Sequence, residues 1–478
     1  TPVFSFTGFR DGHIHPLFAS RESAGPDVSG LDAAGIVDAV MAYLAANPEV
    51  TWVDCGSFEN DVAAGGALTA KLLDLASAAI PIVVHAADHH SIWVNTAALR
   101  VAGFLDVIPP LTSGSVDVDA EGRPTGIVRE WQAMSLIYAH QPPPTLESDI
   151  EAICKAQERL LAAGIVAVQE AWIDRGMPEG YLALAKSGSL KMRVNLMPRI
   201  DVDSWREDLA FAKATRSEVR AANNELLTVN TVKVFIDGVF DSGTALLGQP
   251  YCDGHQAVAL WPDETLAEMA LAADSAGFQL HFHAIGDLAV EKALDAIEHV
   301  FMCNGPVDRR PVIAHAELIS NESFKRMRDY GVVVCQQAVW ATNGPALDGA
   351  RAAIGASAET LYPIRRILDE RIRLSFGSDW PVSDPEPMPG IITATTRRNP
   401  GSTQDPHNPG QAISRSEALA AYSLGTAYQA GQELVAHQDE VVFDRDLLHC
   451  SDDELLEARV LSVSVAGREV YRVSTSVL

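Results

Sequence analysis

Apolar, β-branched runs that stop on polar residues recur through the second half of this chain, and alanine-rich stretches with helical spacing separate them. The runs are 231–237 (TVKVFID), 278–283 (FQLHFH), 311–315 (PVIAH), 332–336 (VVVCQ) and 372–378 (IRLSFGS); the helical spacing covers 263–276, 287–300, 320–330 and 358–370. A strand that is apolar throughout is buried on both faces, which is the condition of a parallel strand covered by helices. Upstream, 165–169 (IVAVQ) and 192–197 (MRVNLM) read as two more strands, with helices at about 148–163 and 205–222. The strand that leads into His13 brings the count to eight. The fold class predicted is therefore α/β, a (β/α)8 barrel. An open doubly wound sheet is the alternative, but no G-x-G-x-x-G follows the first strand.

Two strand-like runs, 51–55 (TWVDC) and 81–85 (PIVVH), do not fit that count. They fall in an insertion predicted over 17–144, between strands 1 and 2, together with a turn-rich stretch at 112–126 that reads as a β-hairpin. After a last barrel helix at about 414–430, short strands at 440–443, 459–465 and 469–473 predict a small β element, so the barrel spans 8–430 and the β element takes 1–7 and 431–478.

Composition removes several classes of function. The charge sum, 36 − 63 = −27, repels nucleic acid and anionic lipid, so neither is an expected partner. No apolar run reaches the roughly 20 residues needed to cross a bilayer, and no signal-peptide pattern opens the chain. Six cysteines are scattered without a C-x-x-C pair, which argues against a disulfide scaffold or zinc ribbon and fits a reducing, cytoplasmic setting. The sequence leaves a homodimer open. It starts at Thr1, so a native start removed or lying beyond this sequence is expected.

The polar residues at the strand ends carry the chemistry. His13 and His15 form an H-x-H pair at the end of strand 1, and alternate strand residues share one face. Two neutral imidazoles on one face begin a divalent-metal site. Lys233 lies in the otherwise apolar strand 4, His283 ends strand 5, His315 ends strand 6, and Asp379 follows strand 8. Each alone reads equally as a hydrogen-bonded core residue. Together they deliver candidate ligands from strands 1, 4, 5, 6 and 8 to the C-terminal rim, where barrel enzymes build their sites.

This order resembles the amidohydrolase superfamily of metal-dependent hydrolases. Longer stretches resemble the branch that includes N-substituted formamide deformylases: GFRDGHIHP (8–16), HHSIWVNTAAL (89–99), EGRPTGIVRE (121–130), VKVFIDG (232–238), HFHAIGDLAV (281–290), IAHAELI (313–319) and GSDWPV (377–382). The chain departs from the branch at Arg10 and Gly12, where apolar and serine positions are usual, and relatives carry a longer segment before strand 1 that completes a β-sandwich with the C-terminal strands. Only seven residues precede Gly8 here, so either a native start is missing or the sandwich is incomplete.

The resemblance implies two divalent metal ions, with zinc the best match and manganese or iron able to replace it. His13, His15 and Asp379 would bind one, His283 and His315 the other, and Lys233, carbamylated by carbon dioxide, would bridge them. It implies hydrolysis of a C–N bond in a small-molecule amide or formamide, with Asp379 as ligand and proton shuttle. His281, two residues before His283, is expected to face the same interior and either orient substrate or replace His283 as ligand. His85, His89, His90, Trp93 and Asn95 would fold over the mouth and contact substrate, or form an internal polar network of the insertion. Trp172, Trp340 and Trp380 follow strands 2, 7 and 8 and would wall an apolar substituent, or pack in the core. Asp237 and Asp287, which follow ligand strands, are expected to support the ligands from behind or to cap loops. Deamination and cyclic-amide hydrolysis are alternatives, as is a degenerate binder of small ligands. Superfamily deaminases carry H-x-x-E after strand 5, whereas Ala284 and Gly286 stand three residues beyond His281 and His283.

Overall fold

The computed structural model describes residues 3–58, 62, 68–111 and 114–473. Residues 1, 2 and 474–478 of the expected β element and Thr112 and Ser113 of the expected hairpin lie outside that set. The chain forms two compact units, Thr1–Pro16 with Ile153–Leu478, and Leu17–Ala152.

The first unit is a parallel barrel. Its strands are 1 (Phe9–Ile14), 2 (Ile165–Ile173), 3 (Arg193–Ile200), 4 (Thr231–Phe235), 5 (Gln279–Ala284), 6 (Val312–His315), 7 (Val333–Gln336) and 8 (Arg373–Phe376). Each hydrogen-bonds to the next in chain order. The ends of the sheet meet just beyond strands 1 and 8: Asp379 N–H donates to the His13 carbonyl (2.8 Å) and His15 N–H to the Trp380 carbonyl (2.9 Å). Gly377 permits that approach, because a Cβ there would stand 2.6 Å from the His13 nitrogen. Gly12 has the same cause: a Cβ would lie 2.8 Å from Cys335 Sγ and 3.0 Å from the Phe376 carbonyl. The departure from serine at this position is thus a packing requirement of this barrel.

The intervening helices include Leu146–Ala162, Trp205–Ala222, Asp263–Ser275, Asp287–Asn304 and Asn321–Asp329. The stretch expected as one helix over 358–370 is instead a 3-10 turn, Gly355–Thr360, followed by a short helix, Ile364–Asp369. Pro363 has no N–H for a preceding helical turn, and Tyr362 takes φ 57°, so the two cannot be continuous. The tail forms a four-stranded antiparallel sheet in the order Phe4–Phe6, Glu440–Phe443, Val460–Val465, Arg468–Arg472. Arg10 ties strand 1 to it: its guanidinium binds Asp439, which also takes Arg193 (2.9 Å) and the Ala466 N–H (2.9 Å). All three charged groups are buried, and such a set holds only when every member is paired.

The second unit is built on a mixed five-stranded sheet in the order Val53–Phe58, Ile82–Ala86, Ser91–Val94, Pro124–Arg129, Ser115–Val118. Strand alternation supplies two cores. Ile82, Val84, Trp93 and Ile127 join Ile36 and Val40 on one face. Val83, Ile92, Val94 and Val128 join Leu99 and Met134 on the other. Helix Ala33–Ala46 starts at Asp32, whose carboxylate accepts the Gly35 N–H. The hairpin turn is closed by Asp119, which accepts the N–H groups of Glu121 (3.0 Å) and Arg123 (2.9 Å).

Candidate metal centre

Strand register sets the heights of the polar residues inside the barrel. Lys233 lies opposite His281, Phe235 opposite His283, and Ala284 opposite His315. His281 therefore sits one layer deeper than His283, level with the lysine. His13 is the hub: its Nδ1 lies 2.8 Å from His281 Nε2, and its Nε2 lies 3.0 Å from Lys233 Nζ and 3.4 Å from Asp379 Oδ1. His15 Nε2 lies 2.9 Å from the same Asp379 oxygen. One ligand atom from each of His13, His315 and Asp379 falls within 4.8 Å of the others. The His283 ring is 4.5 Å from that of His315, and its Nε2 is 3.2 Å from the Gly238 carbonyl.

The loops after the strands aim these groups. His315 and Asp379 both adopt left-handed backbone, at φ 69° and 57°, a conformation that non-glycine residues take rarely and mostly where surrounding structure imposes it. His315 Nδ1 is held 2.8 Å from Gln337 Oε1, which leaves Nε2 for the centre, and its ring stacks on Trp340 at 5.8 Å. Asp11 accepts the N–H groups of His13 (3.1 Å) and Ser378 (3.0 Å), locking strand 1 to the loop that carries Asp379. Burial raises Asp11 to about 7 against those hydrogen bonds. Asp237 accepts N–H groups from Leu246, Ile285 and Gly286, and Asp287 accepts that of Gly248, so both cap loops.

Electrostatics follow from burial. Desolvation, then repulsion from Lys233, holds His13 and His281 well below the ordinary histidine range. Both imidazoles are therefore neutral and carry lone pairs. Burial also pushes Lys233 down to about 7, against the pull of Asp379. Burial acts to raise Asp379, but the His15 hydrogen bond and the His315, His15 and Lys233 charges outweigh it and keep the carboxyl below its usual value. The result is a close cluster of nitrogen and oxygen donors, the donor set of a divalent transition metal.

The aromatic residues expected at the rim differ in their surroundings. Trp172 faces His15 at 6.4 Å and Phe235 at 5.1 Å. Trp340 lies on His315, while Trp380 is buried beneath the Arg159 guanidinium at 4.9 Å. In the second unit, Trp93 is fully buried in the apolar core and its indole N–H donates to the Thr69 carbonyl. His85, His89 and His90 bond Asp54, Glu22 and Glu130, the contacts of an internal polar network. Asn95 caps helix Thr96–Val101.

Sequence reasoning passed over Asp11, Glu317 and Gln337. Glu317, two residues past His315, is buried, and burial raises it to about 8. A carboxylate inside a barrel strand two residues before the H-x-H pair was the one readable signal for Asp11. Nothing local marks Gln337, which reaches His315 only through the fold.

The amidohydrolase family model matches residues 6–471. An Arabidopsis thaliana relative, "Protein LONG AFTER FAR-RED 3", is 26% identical over 97% of this chain and 82% of its own. The N-substituted formamide deformylase of Arthrobacter pascens is 25% identical over 96% of this chain and 87% of its own. A solved structure of an uncharacterized metal-dependent hydrolase from Pyrococcus horikoshii shares the fold at TM-score 0.72, with 20% identity, covering 94% of this chain and 88% of that one.

Proposed function

This chain belongs to the amidohydrolase family, and we propose that it hydrolyses a carbon–nitrogen bond of a small-molecule amide, with N-substituted formamides the first class to test. The observation that carries this reading is the meeting of His13, Lys233, His315 and Asp379 in one buried cluster inside the barrel. His13, His15 and Asp379 would hold one divalent ion and His283 and His315 a second, zinc by donor chemistry, with His281 the competing ligand from strand 5. When bound, such ions polarise a carbonyl and lower the pKa of a water molecule.

The protein's own groups do the rest. The Lys233 amine, in its uncharged form, would add to the carbon of carbon dioxide and lose a proton to solvent, which would supply two carboxylate-like oxygens to the ions. Asp379 accepts the proton of the attacking water at a carboxylate oxygen. It returns that proton to the leaving nitrogen as the C–N bond breaks. Trp172, Phe235 and Trp340 border the histidines with apolar surface, which suits an apolar substituent on the substrate. A cytoplasmic setting agrees with six cysteines that are all free of disulfides. Among the described residues no helix is long and apolar enough to cross a membrane.

The test is a hydrolysis panel of N-formyl and N-acyl amines with zinc-loaded protein, beside the same protein stripped by chelator. Zinc-dependent release of formate or amine supports the reading. A metal-loaded protein inert on the whole panel removes it.

A further inference from the structure

The Leu17–Ala152 unit gathers a second donor set that the barrel chemistry does not use. Glu22 ends helix Pro16–Glu22, Asp54 and Ser57 lie on strand Val53–Phe58, His85 on strand Ile82–Ala86, and His89 in the turn that follows. Ligand atoms of Glu22, His85 and His89 all lie within 4.8 Å of one another. Glu22 Oε2 is 2.8 Å from His89 Nε2, while its Oε1 accepts the Ser57 hydroxyl at 2.7 Å. His85 Nε2 is 2.7 Å from Asp54 Oδ1, and Asp54 Oδ2 accepts the Gln141 amide at 3.0 Å.

Two features go beyond an ordinary ion-pair network. The His85 and His89 rings stack at 5.4 Å with 25° between their planes. Two imidazolium cations in that arrangement repel, whereas two neutral imidazoles sharing a dication do not. His89 also adopts φ 58°, a left-handed conformation that glycine takes readily and other residues take uncommonly, histidine being among the more tolerant. Strain of this kind persists where the surroundings impose it, and at this residue it accompanies the contact with Glu22.

We propose that Glu22, His85 and His89 bind one divalent transition-metal ion, zinc by donor chemistry, with Asp54 steadying the His85 ring. Two imidazoles and one carboxylate are a common zinc set, and a carboxylate behind a ligating histidine fixes its ring and raises its basicity. Every donor comes from the Leu17–Ala152 unit. The site therefore stands or falls independently of the barrel centre.

The experiment uses the full chain carrying His13→Ala and His315→Ala, dialysed against zinc and analysed for bound metal. A single zinc per chain is expected to remain, and adding either Glu22→Gln or His89→Gly is expected to remove it. Glycine suits φ 58°, so loss of metal in that variant cannot be ascribed to backbone damage, and thermal melting of the metal-free proteins checks the fold. Cobalt in place of zinc should give visible d–d bands in the background protein that His89→Gly abolishes. Should the barrel double variant not fold, Glu22→Gln in the parent protein should bind one zinc fewer than the parent. Zinc content that Glu22→Gln and His89→Gly leave unchanged, or no zinc in a folded barrel variant, would show an ion-pair network only and overturn the proposal. Failure of the barrel reading appears separately, as no difference in zinc content between the parent and the barrel variant.

Discussion

Lys233 Nζ stands 3.0 Å from Nε2 of His13, and both residues are sealed from solvent. His13 is held neutral there and can accept from the lysine, while burial pushes Lys233 down to about 7. The neutral amine, the form that adds carbon dioxide, is thus within reach near neutral pH. Lys233→Ala is expected to abolish turnover and lower metal content, with partial rescue by a short carboxylic acid that restores the bridging oxygens. Lys233→Arg should be equally inactive and resist rescue, since guanidinium stays charged and fills the space. Activity measured with and without the added acid, beside metal analysis, checks both.

Metal removal should follow the donor map. Prolonged chelation is expected to take activity to background, with zinc, manganese or ferrous iron restoring it. His13→Ala and His315→Ala should each lose metal and activity together. Because His281 lies level with Lys233 and His283 one layer nearer the rim, the single variants His281→Ala and His283→Ala decide which of the two is the ligand. The ligand variant loses metal, and the other keeps it with altered KM.

The close approach of strands 1 and 8 makes Gly377→Ala a test of the barrel closure. Its methyl would press on the His13 backbone at 2.6 Å. Overpacking of this kind typically costs about 1–3 kcal/mol, and chemical denaturation should show a loss of that order together with weaker metal retention.

The barrel was legible because its strands are short apolar runs punctuated by polar residues at their C-terminal ends, a pattern that needs no tertiary information. The strands that carry the candidate ligands could be picked out for the same reason. What stayed hidden depends on register and distance. The sequence spacing of His281 and His283 places both in the interior, and only the pairing of strand 5 with strand 4 shows which is level with Lys233. Strand Ser91–Val94 escaped notice because four residues after a His-His turn carry too little periodicity. Glu22 and His89 are 67 positions apart, so no local pattern joins them.

A pH effect on stability is expected from His407, away from the metal centre. Burial, reinforced by the Arg397 charge, lowers this imidazole from 6.5 to about 4. Between those values the unfolded chain binds the proton and the folded chain does not, so the contribution to stability falls as pH drops through that window. Above pH 6.5 it is flat. Replacing His407 with Gln should reduce the slope of unfolding free energy against pH between about 6.5 and 4, read by denaturant titrations at each pH, whatever it does to stability at neutrality.

Asp379 separates ligation from proton transfer. Its Oδ1 meets both His15 and His13, and under the proposed function the carboxylate would hold a metal and face the reacting atoms. If ligation were its whole role, Asp379→Asn would weaken metal binding, and supplying metal would restore turnover. An amide oxygen still offers a weak ligand but cannot accept a proton from water. We therefore expect metal-replete Asp379→Asn to keep its metal and lose about 100- to 10,000-fold in kcat, the range for a general acid–base group. The acidic limb of the pH–rate profile should change with it, because that limb reports the carboxylate coupled to its surroundings. A metal-replete variant with near wild-type kcat would move the proton transfer to another group. His281 is then the first candidate, since its Nε2 already lies 2.8 Å from His13 at the centre of the cluster.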